Sequence, residues 1–291
     1  MTSVRYIIIT PARNEEEFIG VTIDSVAAQT VLPTRWIIVN DGSCDQTGAI
    51  IDQAAKRYAW IQAVQLADRG FRQAGGGVME AFYAGLMLLA DEEWDFLVKL
   101  DGDVSFEPSY FEDCFVRFSA EHRLGIGGGL VCRRVSGALR PESEADPSFH
   151  VRGATKIYKY DCWQAIGGLV KGTGWDTVDE LKANMLGWQT STFNDIEIVH
   201  HRRTGDAYGM WPNWVKNGYA NYATGYHPLF MLLKCLRRLF DKPYGIAGLA
   251  LCVGFFGGYF RRAWRVEDPD LIRFLRRQQM QRLLGRPSLW G

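Results

Sequence analysis

Short apolar runs alternate with stripes of helical period along the first 135 residues. Residues 4–10 form one run, after which Ile19, Ile23, Val26 and Ala27 recur at helical spacing. Trp36-Ile37-Ile38-Val39 is a second run, followed by a stripe at Ile51, Ala54, Ala55 and Tyr58. Residues 61–66 alternate as a third strand. Val78, Ala81, Phe82, Gly85, Leu86 and Leu89 mark a longer helix, and Phe96-Leu97-Val98 a fourth strand. Uninterrupted apolar strands in repeated β-α units predict an α/β fold with a mainly parallel, Rossmann-like sheet flanked by helices. Ligands of such sheets collect beyond the carboxyl ends of the strands. The polar segments Pro11-Ala12-Arg13-Asn14-Glu15, Asn40-Asp41-Gly42-Ser43 and Asp101-Gly102-Asp103 follow strands one, two and four. They are therefore expected to converge on one edge.

Further along, residues 136–150 are polar, with Gly and two Pro, and read as a mobile loop suited to covering a site. A strand over 150–160, a short helix over 163–170 ending at Gly167-Gly168, a helix over about 177–186 and a last strand over 193–201 follow. Residues 244–260 differ in kind, being 17 residues without a charge that include five glycines. Lys234, Arg237, Arg238 and Lys242 flank them on one side and Arg261, Arg262 and Arg265 on the other. A spanning helix needs about 20 apolar residues, so the expectation is a segment lying in one leaflet. A full span, and a buried helix or oligomer interface, are the other readings. Residues 268–284 set Leu271, Leu275 and Leu283 among arginines, as a basic amphipathic helix for an anionic membrane or for docking on the domain.

Charge sharpens this division. From Tyr226 onward there are 12 Lys and Arg against 4 Asp and Glu, leaving 21 against 29 before it. The balanced total thus hides an acidic front and a basic tail, which suggests that the tail faces something anionic. The six cysteines are scattered without zinc or redox spacing and read as reduced core residues. Residues 6–9 make too short an apolar run for a signal peptide, so a cytosolic setting is the default expectation.

Two carboxylates one residue apart at a strand end, with glycine between, can share a hard cation such as Mg²⁺ or Mn²⁺. Asp101 and Asp103 have that spacing. Asp41 fits two readings, a turn residue before Gly42 or an acceptor for a nucleobase or ribose. Glu15 could sit in the first turn of a helix, line a nucleotide pocket, or both. The glycines and cations of residues 69–77, Arg72 among them, suit a diphosphate ahead of a helix. A second acidic group, Asp176, Asp179 and Glu180, follows Gly172-Thr173-Gly174-Trp175. It reads either as helix capping by Asp176 or as a general base presented to an acceptor. His200 and His201 end the last strand, and alternation allows at most one of them into the site.

In order, Thr10-Pro-Ala-Arg-Asn-Glu-Glu, Val39-Asn-Asp-Gly-Ser, Lys99-Leu-Asp-Gly-Asp, Ile166-Gly-Gly, the acidic helix closing on Leu186-Gly-Trp188, and His200-His201-Arg resemble a family-2 glycosyltransferase of GT-A fold over residues 4–205. The resemblance implies a GT-A domain at 1–205, with a nucleotide half to about 105 and an acceptor half beyond it. Outside the resemblance, the basic and apolar residues 206–291 suggest a helical, membrane-associating tail and with it a lipid-linked acceptor. Pro11, Ala12, Arg13, Glu15, Asp41, Arg72, Lys99, Asp101 and Gly102 would hold the nucleotide sugar. Asp103, with Asp101 and His200 or His201, would hold Mg²⁺ or Mn²⁺. The base would be Asp176, with Trp175 where the family usually carries Glu, and Asp179 and Glu180 as alternatives. Arg152, Gly153 and Trp175 would face the acceptor. The implied reaction is inverting transfer from a nucleotide-diphosphate sugar to a hydroxyl of a lipid-linked or growing cell-surface glycan. It would run at the cytoplasmic face of a membrane, with no nucleic-acid partner and with self-association through the tail as an option. The rivals are a nucleotidyltransferase, disfavoured by the Pro-Ala-Arg-Asn-Glu loop, and a non-catalytic adaptor, disfavoured by the intact acids.

Overall fold

A computed structural model of the chain describes residues 4–68, 76–90, 92–143, 146–202, 209–241 and 244–290. The first half follows the apolar pattern: β1 (Tyr6–Ala12), α1 (Ile19–Ala27), β2 (Arg35–Asp41), α2 (Thr47–Arg57), β3 (Ile61–Leu66), α3 (Gly76–Leu86) and β4 (Phe96–Leu100). These strands lie parallel in the order β3-β2-β1-β4. Successive side chains of a strand point to opposite faces, and the cores divide accordingly. Tyr6, Ile8, Trp36, Ile38 and Val98 join one core, with Ile19, Ile23 and Ile51 from α1 and α2. Ile7, Ile9, Ile37, Val39 and Leu97 join another, with Met79 and Phe82 from α3. Both faces being covered is why the strands read as continuous apolar runs.

The second half makes the sheet mixed. It comprises β5 (Val104–Phe106), α4 (Tyr110–Ala120), β6 (Leu124–Val135), β7 (Ala138–Pro141), β8 (Thr155–Lys159), α5 (Tyr160–Ile166), α6 (Trp175–Met185) and β9 (Gln189–His200). β8 joins β4 antiparallel, β6 follows, and β9 lies parallel to β6 with β5 antiparallel at the edge. β6 is hard to see in sequence because four of its residues are glycines, which weaken any strand signal. The fold needs at least one of them, since a Cβ on Gly127 would lie 2.6 Å from the Phe193 ring. Part of the expected mobile loop is ordered sheet: Ser136 and Gly137, both at positive φ, turn β6 back into β7.

Four helices close the chain: α7 (Met210–Thr224), α8 (Pro228–Arg238), α9 (Ile246–Phe260) and α10 (Pro269–Leu283). Proline opens α8 and α10, and the preceding His227 and Asp268 side chains accept from the backbone N–H of Leu229 and Leu271. The glycines of the apolar segment serve helix packing. A Cβ on Gly254 would lie 2.0 Å from the Val215 carbonyl oxygen, and one on Gly218 2.2 Å from that of Leu251, so the α7 and α9 backbones touch. Among the described residues no helix is long and apolar enough to cross a membrane. A third core joins Phe149, and Val178 and Leu181 of α6, to Tyr222, Leu251, Phe255, Leu271 and Leu275. Leu271 and Leu275 of α10 are thereby buried against the domain, while Leu283 stays exposed.

Candidate active site

The loops after β1 and β2 are knitted together. Asn14, at φ 54°, donates its N–H to Ser43 Oγ (2.9 Å) and accepts from the Cys44 N–H (3.0 Å). Arg13 donates to the Asp41 carbonyl and to the Asp68 carboxylate, each at 2.7 Å. Asp41 is buried at the end of β2, ahead of a turn in which Gly42 takes φ 65°. Pro11 and Ala12 close β1, and Gly102 lies against Ile19 of α1. Glu15 does not sit in the first turn of α1, which begins four residues later. Its carboxylate instead meets the guanidinium of Arg202 at 2.7 Å, drawing the end of β9 onto the first loop.

Asp101, Asp103 and His200 come together because β5 pairs with β9 at Val104 and His200, and because His201 N–H donates to the Asp103 carbonyl at 2.9 Å. One ligand atom from each of the three lies within 4.8 Å of the others. His200 bridges Asp103 (Nε2 to Oδ2, 3.3 Å) and Glu142 (Nδ1 to Oε1, 3.0 Å), and Glu142 in turn meets Arg152 at 3.0 Å. Lys99, itself buried, pairs with Asp101 and donates to the Gly153 carbonyl at 2.5 Å.

Burial works against charge on both aspartates, with different results. At Asp103 the hydrogen bond and charge of His200, then Arg202 and Lys99, outweigh burial and hold the carboxyl below its usual range. At Asp101 burial, aided by the charge of Asp103, outweighs Lys99 and lifts the carboxyl. Burial lowers His200, but its bonds to Asp103 and Glu142 win and push it up to about 10. The cluster therefore favours positive charge at its centre. Two carboxylates and an imidazole suit a divalent ion such as Mg²⁺ or Mn²⁺, provided the imidazole gives up its proton on binding.

The acidic helix meets this cluster across Gly153. α6 starts after Gly174 at φ 88°, with Trp175 first and Asp176 second. Asp176 is therefore not the N-cap, but its charge suits the positive helix end. A Cβ on Gly153 would lie 3.2 Å from the Trp175 ring and 3.8 Å from Asp176 Oδ2. The ammonium groups of Lys99 (5.4 Å) and Lys156 (5.6 Å) both lie over the Trp175 ring. Lys156 is buried with Asp179 (3.0 Å) and Glu180 (2.6 Å), and donates to the Asp176 carbonyl at 2.5 Å.

Residues 7–170 match the family described as Glycosyl transferase family 2. The protein belongs to that glycosyltransferase family. Over 67 residues, 23% of this chain and 20% of the relative, the transferase is 42% identical to "Uncharacterized glycosyltransferase EpsJ" of Bacillus subtilis (strain 168). Among solved structures it is similar to S. aureus TarS, at 16% identity and TM-score 0.55, over 89% of this chain and 44% of TarS. It is also similar to TarS 1–349 in complex with UDP, at 17% identity and TM-score 0.55, over 89% of this chain and 72% of that one. The mannosyltransferase PcManGT from Pyrobaculum calidifontis, in complex with GDP-Man and Mn2+, matches at 16% identity and TM-score 0.55, over 98% and 76%. The chain thus spans a fifth of its curated relative and under half of the longer TarS structure. The structural likenesses show the GT-A fold.

Several of the transferase's expected site residues take other places. His201 turns away from the cluster, bonding Ser105 Oγ at 2.8 Å and stacking on Phe18, because neighbouring strand residues face opposite ways. Asp179 and Glu180 are buried and already engaged. The Tyr158 hydroxyl donates to Asp179 at 2.6 Å, while the Val151 N–H and His150 bind Glu180 at 2.7 and 2.9 Å. Neither can receive a proton from an incoming hydroxyl without breaking that network, whereas half-buried Asp176 faces Gly153. Trp175 is buried and Arg152 is paired with Glu142, so both frame the site from within. Arg72 lies outside the described residues. Glu142 and Lys156 were not foreseen, and Arg202 stood only as the last residue of the His200-His201-Arg motif. Lys156 gave a local hint, since it shares a strand face with Tyr158 in Thr155-Lys156-Ile157-Tyr158-Lys159.

Proposed function

We propose that the transferase moves a sugar from a nucleotide-diphosphate sugar to an acceptor hydroxyl in one inverting displacement, with Asp176 as general base. The observation that carries this is the meeting of the Asp176 carboxylate with the Asp101, Asp103 and His200 cluster across Gly153. Pro11, Ala12, Arg13, Glu15 and Asp41 line the nucleoside side. Asp101, Asp103 and His200 would hold Mg²⁺ or Mn²⁺, which when bound neutralises charge on the diphosphate. Asp176 takes the proton of the acceptor hydroxyl. The acceptor oxygen bonds the anomeric carbon, and the bond from that carbon to the diphosphate breaks, its electron pair leaving with the nucleoside diphosphate. Lys99 holds Asp101 and the Gly153 carbonyl in place during the exchange. Similar structures in complex with UDP, UDP-GlcNAc and GDP-Man support a nucleotide-sugar donor.

For the acceptor we favour a lipid-linked or growing cell-surface glycan, reached at the cytoplasmic face of a membrane, since the basic end of the chain suits an anionic surface. Asp176→Asn tests the chemistry. Its turnover should fall by about 10²–10⁴-fold, the usual contribution of a general base, with donor binding retained in a thermal-shift titration. Turnover near that of the wild type would remove Asp176 from the role.

A further inference from the structure

Helix α8 buries Met231 and Cys235 but leaves much of its apolar surface outside. Lys234 and Arg238 turn inward over the rings of Tyr226 (5.4 Å) and Trp214 (5.5 Å). Leu232, Leu236 and, just past the helix end, Phe240 stand exposed on the other side, Phe240 at 78%. On α9, Leu249, Val253 and Phe260 recur at helical spacing and are exposed, Phe260 at 90%. The two stripes flank one seam, where a Cβ on Gly248 would lie 2.5 Å from the Cys235 carbonyl oxygen. They therefore form one apolar surface, of the kind that marks an interaction site.

Charge identifies the occupant. Exposed Arg237 borders the α8 stripe, and exposed Arg261 and Arg262 follow Phe260. Between Pro228 and Arg265 the sequence has seven Lys and Arg and a single acid, Asp241, which Arg238 pairs at 3.0 Å. A two-fold contact with a second copy would bring this cationic border against itself. An anionic bilayer complements both the stripes and the border.

We propose that the outer faces of α8 and α9 form the surface on which this transferase docks to an anionic membrane, the leucine and phenylalanine stripes entering the headgroup–acyl boundary and Arg237, Arg261 and Arg262 meeting lipid phosphates. This rests on the membrane-side reading above, and not on the chemistry of transfer. It moves the lipid contact from α10, whose Leu271 and Leu275 are buried, to a pair of helices that lie on the bilayer.

The test is flotation of the full chain with vesicles of phosphatidylglycerol and phosphatidylcholine, and with phosphatidylcholine alone. Wild type should float with the first. The Leu232→Ser/Leu236→Ser/Val253→Ser variant should partition about tenfold less or lower. Arg237→Glu/Arg261→Glu/Arg262→Glu should lose the preference for anionic vesicles and the salt dependence. Melting curves check that each variant folds, and the exposed arginine set carries the test if the serine set does not. Donor hydrolysis at the wild-type rate in a variant that no longer floats separates this surface from the catalytic reading. Failure of wild type to float, equal flotation of all variants, or a lipid-free dimer dispersed by the serine set would each overturn the proposal.

Discussion

The ammonium of Lys156 meets the carboxylate of Glu180 at 2.6 Å with both side chains fully buried. The same ammonium holds Asp179 and the Asp176 carbonyl, so one lysine on β8 fixes the first turn of α6. Lys156→Met leaves buried Asp179 without its cation and Glu180 with His150 alone, and breaking such a buried pair typically costs about 3–5 kcal/mol. The expected outcome is a urea midpoint lowered accordingly, with reduced turnover because Asp176 loses its support. An unchanged midpoint would show that the pair contributes nothing net.

His150 offers a pH test. Burial alone would lower its pKa, but the charge and hydrogen bond of Glu180, with Asp176 behind it, push it from 6.5 up to about 9. A histidine raised on folding contributes stability that is complete below its unfolded value and lost as pH rises through the folded one. The contribution, about 3 kcal/mol, should therefore be whole below 6.5 and fade through about 9. Thermal melts of wild type and His150→Gln across that window should converge on the alkaline side. A gap that stays constant with pH would assign the effect to packing.

Asp103 tests the metal site with two readouts. Chelation by EDTA should abolish transfer, and added Mn²⁺ should raise the melting temperature of the wild type in the presence of a nucleoside diphosphate. Asp103→Asn should show neither the Mn²⁺-dependent rise nor measurable transfer, while melting near wild type without metal. A variant that still binds Mn²⁺ would move the principal ligand elsewhere.

Much of the fold was legible locally. Four parallel strands and their helices followed from apolar runs and helical stripes, and three polar strand ends marked the site edge. β6 escaped notice because glycines that permit close packing also erase the strand pattern. In the site, Asp101 and Asp103 stood out by spacing, and strand alternation limited the histidines to one. Glu142 had no local signature, for its partners His200 and Arg152 are distant in sequence. Asp179 and Glu180 resembled candidate bases until Lys156 and Tyr158 were found against them.

By itself the sequence determined the order of elements, the acidic strand end and the acidic start of α6, because periodicity and turn chemistry act over a few residues. Only the tertiary structure decided which acid is committed to a buried lysine and which faces the site, because burial depends on strands brought together from far along the chain. It also decided which amphipathic helix stays uncovered. A stripe of leucines reads the same on α10, where the domain covers most of it, as on α8, where nothing among the described residues does.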